Sequence, residues 1–411
     1  MAGRHRSSRG GTGGRRDIYV RADLRPIYHD NKRRSISPVV IVGATLVVLA
    51  IAAGAYAWVR GGARGPAPTS AAGSAETSST VATVTAPPLQ PKVRPTVSVA
   101  AVGDICFMDS NHNSLGSAAD LLAEMKPQLS AADLCLGNLE VALTSGGEAA
   151  DKTYTFRAPL TDAQGLAQSG IDAVSIANNH ALDYDRVKLP GELDALTQAG
   201  VTAVGGGLNK QEAWAVRTVE RAGAKIGLLA FSEITPADFA ATDTEPGVAY
   251  TQDSAAMAAA VSAAKASKQY DYLIVIMHWG VEGDYRSSDR QETEAHALID
   301  AGADAVIGSH PHRIQGVEFY KGGLIAYSLG NFVFGTSALA SNQSMLLNFQ
   351  LTDSGVQAAE ATPVYILRGK PLVATESDWD RIAAIIKSSS AHNGTTVTFS
   401  DAGVASFSAT Q

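Results

Sequence analysis

The chain has 411 residues, of which 45% are hydrophobic and 18% charged, with a net charge of −7 at pH 7. This fits one large or two small globular domains with extensions and excludes a chain disordered throughout. The charge is uneven. Residues 1–37 carry ten basic against three acidic side chains, a net +7, which leaves −14 for the rest and argues against nucleic acid as a partner of the main domain.

Residues 38–59 contain no charged side chain, and a run of that length spans a bilayer core as one helix. The basic arm ahead of it (1–37) places the N-terminus in the cytoplasm, next to lipid headgroups of the cytoplasmic membrane, and the main domain outside the cell. Ala55-Tyr56-Ala57 also reads as a signal-peptidase site, which would give a cleaved, secreted form. The long basic arm and long apolar run favour a retained single-pass signal-anchor. Residues 60–95, rich in Ala, Ser, Thr, Pro and Gly, cannot bury enough apolar surface to fold and read as a stalk.

From residue 96 strand and helix signals alternate. Strands are expected at 96–104, 133–140, 171–177, 201–207, 224–233, 270–280 and 303–309, and helices at 117–129, 162–168, 191–198 and 289–301. Three of those helices end at a glycine (Gly170, Gly200, Gly302) that is followed by a short apolar strand. Such alternation implies βαβ units and a largely parallel sheet. Gly322-Gly323 between two apolar runs predicts a hairpin, so the sheet is mixed. The expected domain covers 96–370, and 371–411 is a C-terminal extension with one helix at 378–390.

The chemistry sits where the strands run out. Asp104, Glu140, Asn179, His278, His310 and His312 all fall at expected strand ends, where open α/β sheets place their ligands. This mixture of oxygen and nitrogen donors suits one or two divalent ions, Mn, Zn or Fe. The spacing of His310 and His312 around Pro311 puts both imidazoles on one side of an extended loop. Cys106 and Cys135 read as a disulfide, as two buried thiols, or as a source of a soft metal ligand.

Quoted in order, GDIC, GNLE, YTFRAP, GIDAVSIANNHALDYD, IMHWGVE and GSHPHRIQGVEFYKGGLIAYSLGNFVF resemble the motif series of CapA-type proteins. These are bacterial capsule or poly-γ-glutamate synthesis proteins of the calcineurin-like metallophosphatase superfamily. The resemblance runs from about residue 97 to residue 367. It implies a two-layer mixed β-sandwich flanked by helices, here preceded by one transmembrane helix. It places Asp104 on the first metal carboxylate, Glu140 on the bridging position, Asn179 and His180 on the Asn-His pair, His278 on the lone histidine, and His310 and His312 on the last motif. Two positions depart from the pattern: Cys106 stands where a histidine is usual, and Glu140 replaces Asp. Both put ordinary phosphatase activity in doubt.

On this reading Asp104, Glu140, Asn179, His278, His310 and His312 hold metal, and His180 donates a proton to the leaving group. Asp183 either orients His180 or caps the next helix. Arg157 binds a carboxylate or phosphate, or forms a surface salt bridge. Glu282 supports the site and its substrate, or is a loop charge. Two functions follow. One is a metal-dependent hydrolase acting on an anionic polymer or a phosphoester. The other is a non-catalytic accessory of a membrane-bound polymer synthase or exporter.

Overall fold

The computed structural model describes residues 93–335 and 338–410. The arm, the apolar run and nearly all of the stalk lie outside them, and among the described residues no helix is long and apolar enough to cross a membrane. Strand β1 (Val97–Asp109) leads through the short helix α1 (Ala118–Leu122) to β2 (Leu134–Leu139). Helix α2 (Asp162–Gln168) precedes β3 (Ala173–Ser175), and α3 (Leu189–Ala199) precedes β4 (Thr202–Val204). Strands β5 (Arg217–Arg221) and β6 (Ala224–Ser232) form a hairpin. Helix α4 (Ser254–Ala266) then leads to β7 (Tyr272–His278), and α5 (Asp289–Asp300) to β8 (Ala305–Ser309).

The expected Gly-Gly hairpin joins β9 (Val317–Tyr320) to β10 (Gly323–Ala326). Strands β11 (Asn331–Gly335), β12 (Gln343–Thr352), β13 (Gly355–Leu367) and β14 (Lys370–Val373) follow. Helix α6 (Glu376–His392) and the hairpin β15 (Thr395–Phe399) and β16 (Ala405–Ala409) complete the chain. Gly170, Gly200 and Gly302 take positive φ (94°, 82° and 115°) just past their helices, as the sequence leads one to expect.

The result is a mixed α/β fold with more than one sheet. Among the described residues ten strands form one sheet, ordered β15-β16-β13-β12-β1-β2-β3-β4, with β11 beside β1 and β14 beside β13. Six strands form a second, ordered β9-β10-β8-β7-β6-β5. Residues 371–410 are thus joined to the first sheet through β14 and the β15–β16 hairpin.

Alternation along the second sheet sorts its side chains onto two faces. Ile226, Leu228, Tyr272, Ile274, Ile276, Ala305 and Ile307 share one apolar cluster with strands of the first sheet. Their neighbours Leu229, Phe231, Leu273, Val275, Met277 and Val306 pack instead with Met257 and Val261 of α4 and Leu298 of α5. With both faces covered, β6, β7 and β8 read as continuous apolar runs, the sign of buried parallel strands.

One contact sets the geometry of the site. Strand β1 pairs antiparallel with β12 over Val97–Ala101, then changes partner at Asp104 to run parallel to β11 at Asn331. The Asp104 amide donates to the Gly330 carbonyl at 3.0 Å. Gly103 permits this crossing, because a Cβ there would lie 1.7 Å from the Gly330 oxygen.

Candidate metal centre

The ends of β2, β7 and β8, the loop after β3 and the partner change in β1 bring Asp104, Glu140, Asn179, His278, His310 and His312 together. Asp104, Glu140, His278 and His310 are buried, and His312 is partly so. Two sets of potential ligand atoms share Glu140. One comprises Glu140, His278 and His310, the other Asp104, Glu140 and His312, and within each the atoms lie within 4.8 Å of one another. A third set, Glu282 with His310 and His312, places the exposed Glu282 beside the cluster with a ligand atom of its own.

Hydrogen bonds fix which nitrogen His278 and His312 offer. The Ser309 hydroxyl donates to the Met277 carbonyl at 2.9 Å, so its oxygen is left to accept from His278 Nδ1, 3.0 Å away. His278 Nε2 then turns its lone pair toward Asn179 Oδ1 at 3.0 Å and Glu140 Oε1 at 3.7 Å. Asn331 Nδ2 donates to the Ser341 carbonyl, which leaves Asn331 Oδ1 to accept from His312 Nδ1 at 2.7 Å. His312 Nε2 therefore faces Glu140 Oε1, 3.9 Å away. His278 Nε2, Asn179 Oδ1 and Glu140 Oε1 are acceptors converging on one volume, and they repel unless a cation lies among them.

Glu140 makes this plain. Both its carboxylate oxygens are buried without a hydrogen-bond partner, as is Nδ1 of His310. An orphaned buried carboxylate is costly, and a divalent ion satisfies it directly. The side chains present fit such an ion. Burial, then the charge of Asp104, pushes Glu140 well above the usual carboxylate range. Burial and the other imidazoles hold His278 well below its ordinary value and His310 at about 3, so both are neutral, as ligands must be. Burial also opposes charge on His312, but Glu140 and Asp104 outweigh it and raise it to about 10.

His310 and His312 correct one expectation. The loop is not extended: both residues take positive φ, 95° and 53°, and the imidazole centroids stand 5.9 Å apart. Sterically costly backbone at two adjacent ligands is strain held in place by the surrounding fold.

His180 sits beside the cluster, buried against the Phe156 ring with centroids 4.6 Å apart. Its Nδ1 donates to Asp183 Oδ2 at 2.6 Å. Asp183 does not cap a helix. It is fully buried, it accepts from the Phe156 amide at 2.7 Å, and its second oxygen takes Lys152 Nζ at 2.7 Å. Burial lowers His180 below its ordinary value while the Asp183 bond works the other way.

Arg157 is exposed, its guanidinium over the Tyr184 ring at 4.8 Å, and among the described residues it contacts no member of the cluster. Cys106 and Cys135 are both buried and free, so there is no disulfide. Burial pushes the Cys106 thiol well up, and among the described residues it joins no ligand set.

Sequence reasoning missed Asn138, whose Nδ2 donates to Asp104 Oδ1 at 2.9 Å, and Asn178, which donates to Asn138 Oδ1 at 3.1 Å. Asn138 lies two residues before Glu140 on the same strand face, and that alternation was a usable signal. Lys152 lies in a polar loop and gave none.

A mixed α/β fold carrying a buried carboxylate and imidazole cluster at its strand ends defines the class, a protein whose side chains could hold a divalent metal. The chain belongs to the bacterial capsule synthesis protein family PGA_cap, whose model matches residues 98–336. It is 31% identical over 281 residues to the PGA biosynthesis protein CapA of Bacillus subtilis, covering 67% of this chain and 73% of that one. It is also 31% identical over 259 residues to the capsule biosynthesis protein CapA of Bacillus anthracis, covering 62% of this chain and 63% of the relative, so under two thirds of the latter's length is spanned. Among solved structures it is similar to the NAD nucleotidase of Haemophilus influenzae, at 12% identity and a TM-score of 0.40, over 72% of this chain and 56% of that one. A likeness of that size says nothing about substrate.

Proposed function

We propose that this chain is an extracytoplasmic, metal-dependent hydrolase of the phosphoesterase type, serving capsule or poly-γ-glutamate synthesis or export. Residues 38–59 anchor it in the cytoplasmic membrane, with the N-terminus inside, and the two packed sheets form a metallophosphatase-like sandwich. The observation that carries the reading is Glu140, a buried carboxylate without a hydrogen-bond partner among the described residues, set among three imidazoles.

Asp104, Glu140, Asn179, His278, His310 and His312 hold the metal, one ion or two. A divalent ion there supplies Lewis acidity and charge neutralisation to the reaction. The chain's own residues do the rest. His180, fixed through Nδ1 by Asp183, keeps Nε2 free to take up a proton and return it to the leaving group. Lys152 neutralises Asp183, which keeps the pair from adding net negative charge beside an anionic substrate. Phe156, against the His180 ring, limits water there.

The second reading is an accessory subunit of a membrane polymer synthase or exporter that keeps the fold and metal without turnover. Cys106 favours it, because a buried, protonated thiol two residues after Asp104 gives one potential ion fewer ligands. An activity screen of the purified full chain with Mn or Zn, over phosphoesters and γ-glutamyl peptides, decides. Turnover that requires Glu140 supports the hydrolase; metal binding without turnover on either class supports the accessory. Protease added to intact cells tests the anchor: the outer domain is removed and the arm spared, whereas a soluble full-length cytosolic chain contradicts it.

A further inference from the structure

A groove of about 690 Å³ opens between Tyr285, the segment around Leu339 and Gln343, and helix α6, which contributes Arg381, Ala384 and Ile385. Apart from Tyr285, these wall residues lie outside the 98–336 region that matches the family model.

Arg313 links groove and cluster. It directly follows His312, and its Nη1 donates to the His312 carbonyl at 2.7 Å and to Ser341 Oγ at 2.6 Å. The Ser341 carbonyl in turn accepts from Asn331, the residue that orients His312. The guanidinium carbon lies 5.7 Å from the centre of the Tyr285 ring, on the groove wall. Arg313 is partly buried, and among the described residues it forms no ion pair and its Nε and Nη2 donate to no acceptor. An arginine held by neutral acceptors, with half of its fork open, is set up to receive a carboxylate.

The rest of the groove suits the same ligand. Its wall is mostly apolar, formed by Leu339, Ala384 and Ile385, with Arg381 as a second cation in a loose, solvent-screened pair with Asp378 at 3.6 Å. The chain beyond residue 37 carries −14, so an anionic polymer is repelled by most of the domain and needs local positive charge to dock. Methylene-rich residues with one carboxylate each match an apolar wall that carries Arg381, with Arg313 beside Tyr285 at its edge.

We propose that this groove is the subsite for the polymer chain. Arg313 binds the free carboxylate of the residue next to the cluster, and α6 receives the methylenes of the residues beyond. This rests on the anionic-polymer reading above and gives it a location and a specificity residue.

The test is binding of a labelled γ-glutamyl oligomer about ten residues long to the purified full chain, by fluorescence anisotropy, with metal content measured in the same samples. Arg313→Gln is expected to weaken binding about 10- to 100-fold, the span of a charge-assisted hydrogen bond. Ala384→Glu, at an exposed helix position remote from the ligands, is expected to weaken it by repulsion while leaving metal content unchanged. Should Arg313→Gln disturb His312 and release metal, Ala384→Glu still decides. Unchanged oligomer affinity in Ala384→Glu overturns the proposal, and with metal retained it leaves the metal reading intact. Oligomer binding lost with the groove variants in a chain that holds no metal would instead uphold the groove and sink the metal reading. Self-association abolished by Ala384→Glu, with no oligomer binding by the wild type, would make the groove an interface between copies and overturn the proposal as well.

Discussion

His312 donates its Nδ1 proton to Asn331 Oδ1 at 2.7 Å, across the point where β1 exchanges β12 for β11. The bond fixes the tautomer and aims Nε2 at Glu140, so Asn331 acts on the candidate metal site through the imidazole. Asn331→Leu keeps the bulk and removes the acceptor. Metal affinity is expected to fall about 10- to 100-fold, measured by chelator competition. An unchanged affinity would mean that His312 needs no orienting partner.

His180 and His310 separate chemistry from coordination. His180→Ala is expected to keep its metal and lose about 10²- to 10⁴-fold in turnover. His310→Ala loses metal, because a buried ligand is gone. Elemental analysis and initial rates on the two variants read the difference, and equal metal loss in both would make His180 a ligand.

Glu192 provides a pH test remote from the metal. It is buried on α3 with one oxygen unpartnered, and burial raises its carboxyl to about 8 against an ordinary 4.5. A raised carboxyl leaves stability whole below 4.5 and lowers it as the pH climbs from 4.5 to 8, because only the unfolded state ionises in that window. The loss is about 1.4 kcal/mol per pH unit, or roughly 3–5 kcal/mol in all. Glu192→Gln is expected to match the wild type in urea unfolding at pH 4.5 and to exceed it at pH 8. Comparing the two proteins cancels the titration of the metal ligands. Parallel stability profiles would show that Glu192 is solvated or paired.

Gly103→Ala tests the partner change. Its Cβ would meet the Gly330 carbonyl, a backbone atom that cannot rotate away. The expected cost is about 1–3 kcal/mol or more in denaturant unfolding, with weaker metal binding because Asp104 and Asn331 lose their register. A neutral substitution would mean that the β1–β11 crossing is looser than described.

Much of this arrangement is legible in the sequence. Apolar runs that end in His278 and Ser309, or just before Glu140, mark strands buried on both faces, and glycines at 170, 200 and 302 mark the helix ends. These signals are local, so they survive in the linear string. The partner change of β1 at Asp104 is not legible, because pairing between residues 104 and 331 leaves no periodic trace in either. The same holds for Lys152 and Asn178, polar residues whose roles depend on what folds against them. The backbone of His310 and His312 defeats spacing arguments, because positive φ is imposed by the fold and not by side-chain type. Cys106 and Cys135 follow the same logic: proximity to ligands in sequence says nothing of burial, and burial keeps them as thiols.

The central claim is that Glu140 is the centre of a divalent metal site, and the most direct measurement is the metal content and melting temperature of the purified full chain with and without Mn or Zn. At least one ion per chain is expected, raising stability by about 2.7 kcal/mol at a hundredfold excess over Kd. Glu140→Gln should abolish that gain, because the carboxylate common to two of the ligand sets is gone. A wild-type chain that binds no divalent ion and shows no shift in melting temperature with either metal would contradict the account.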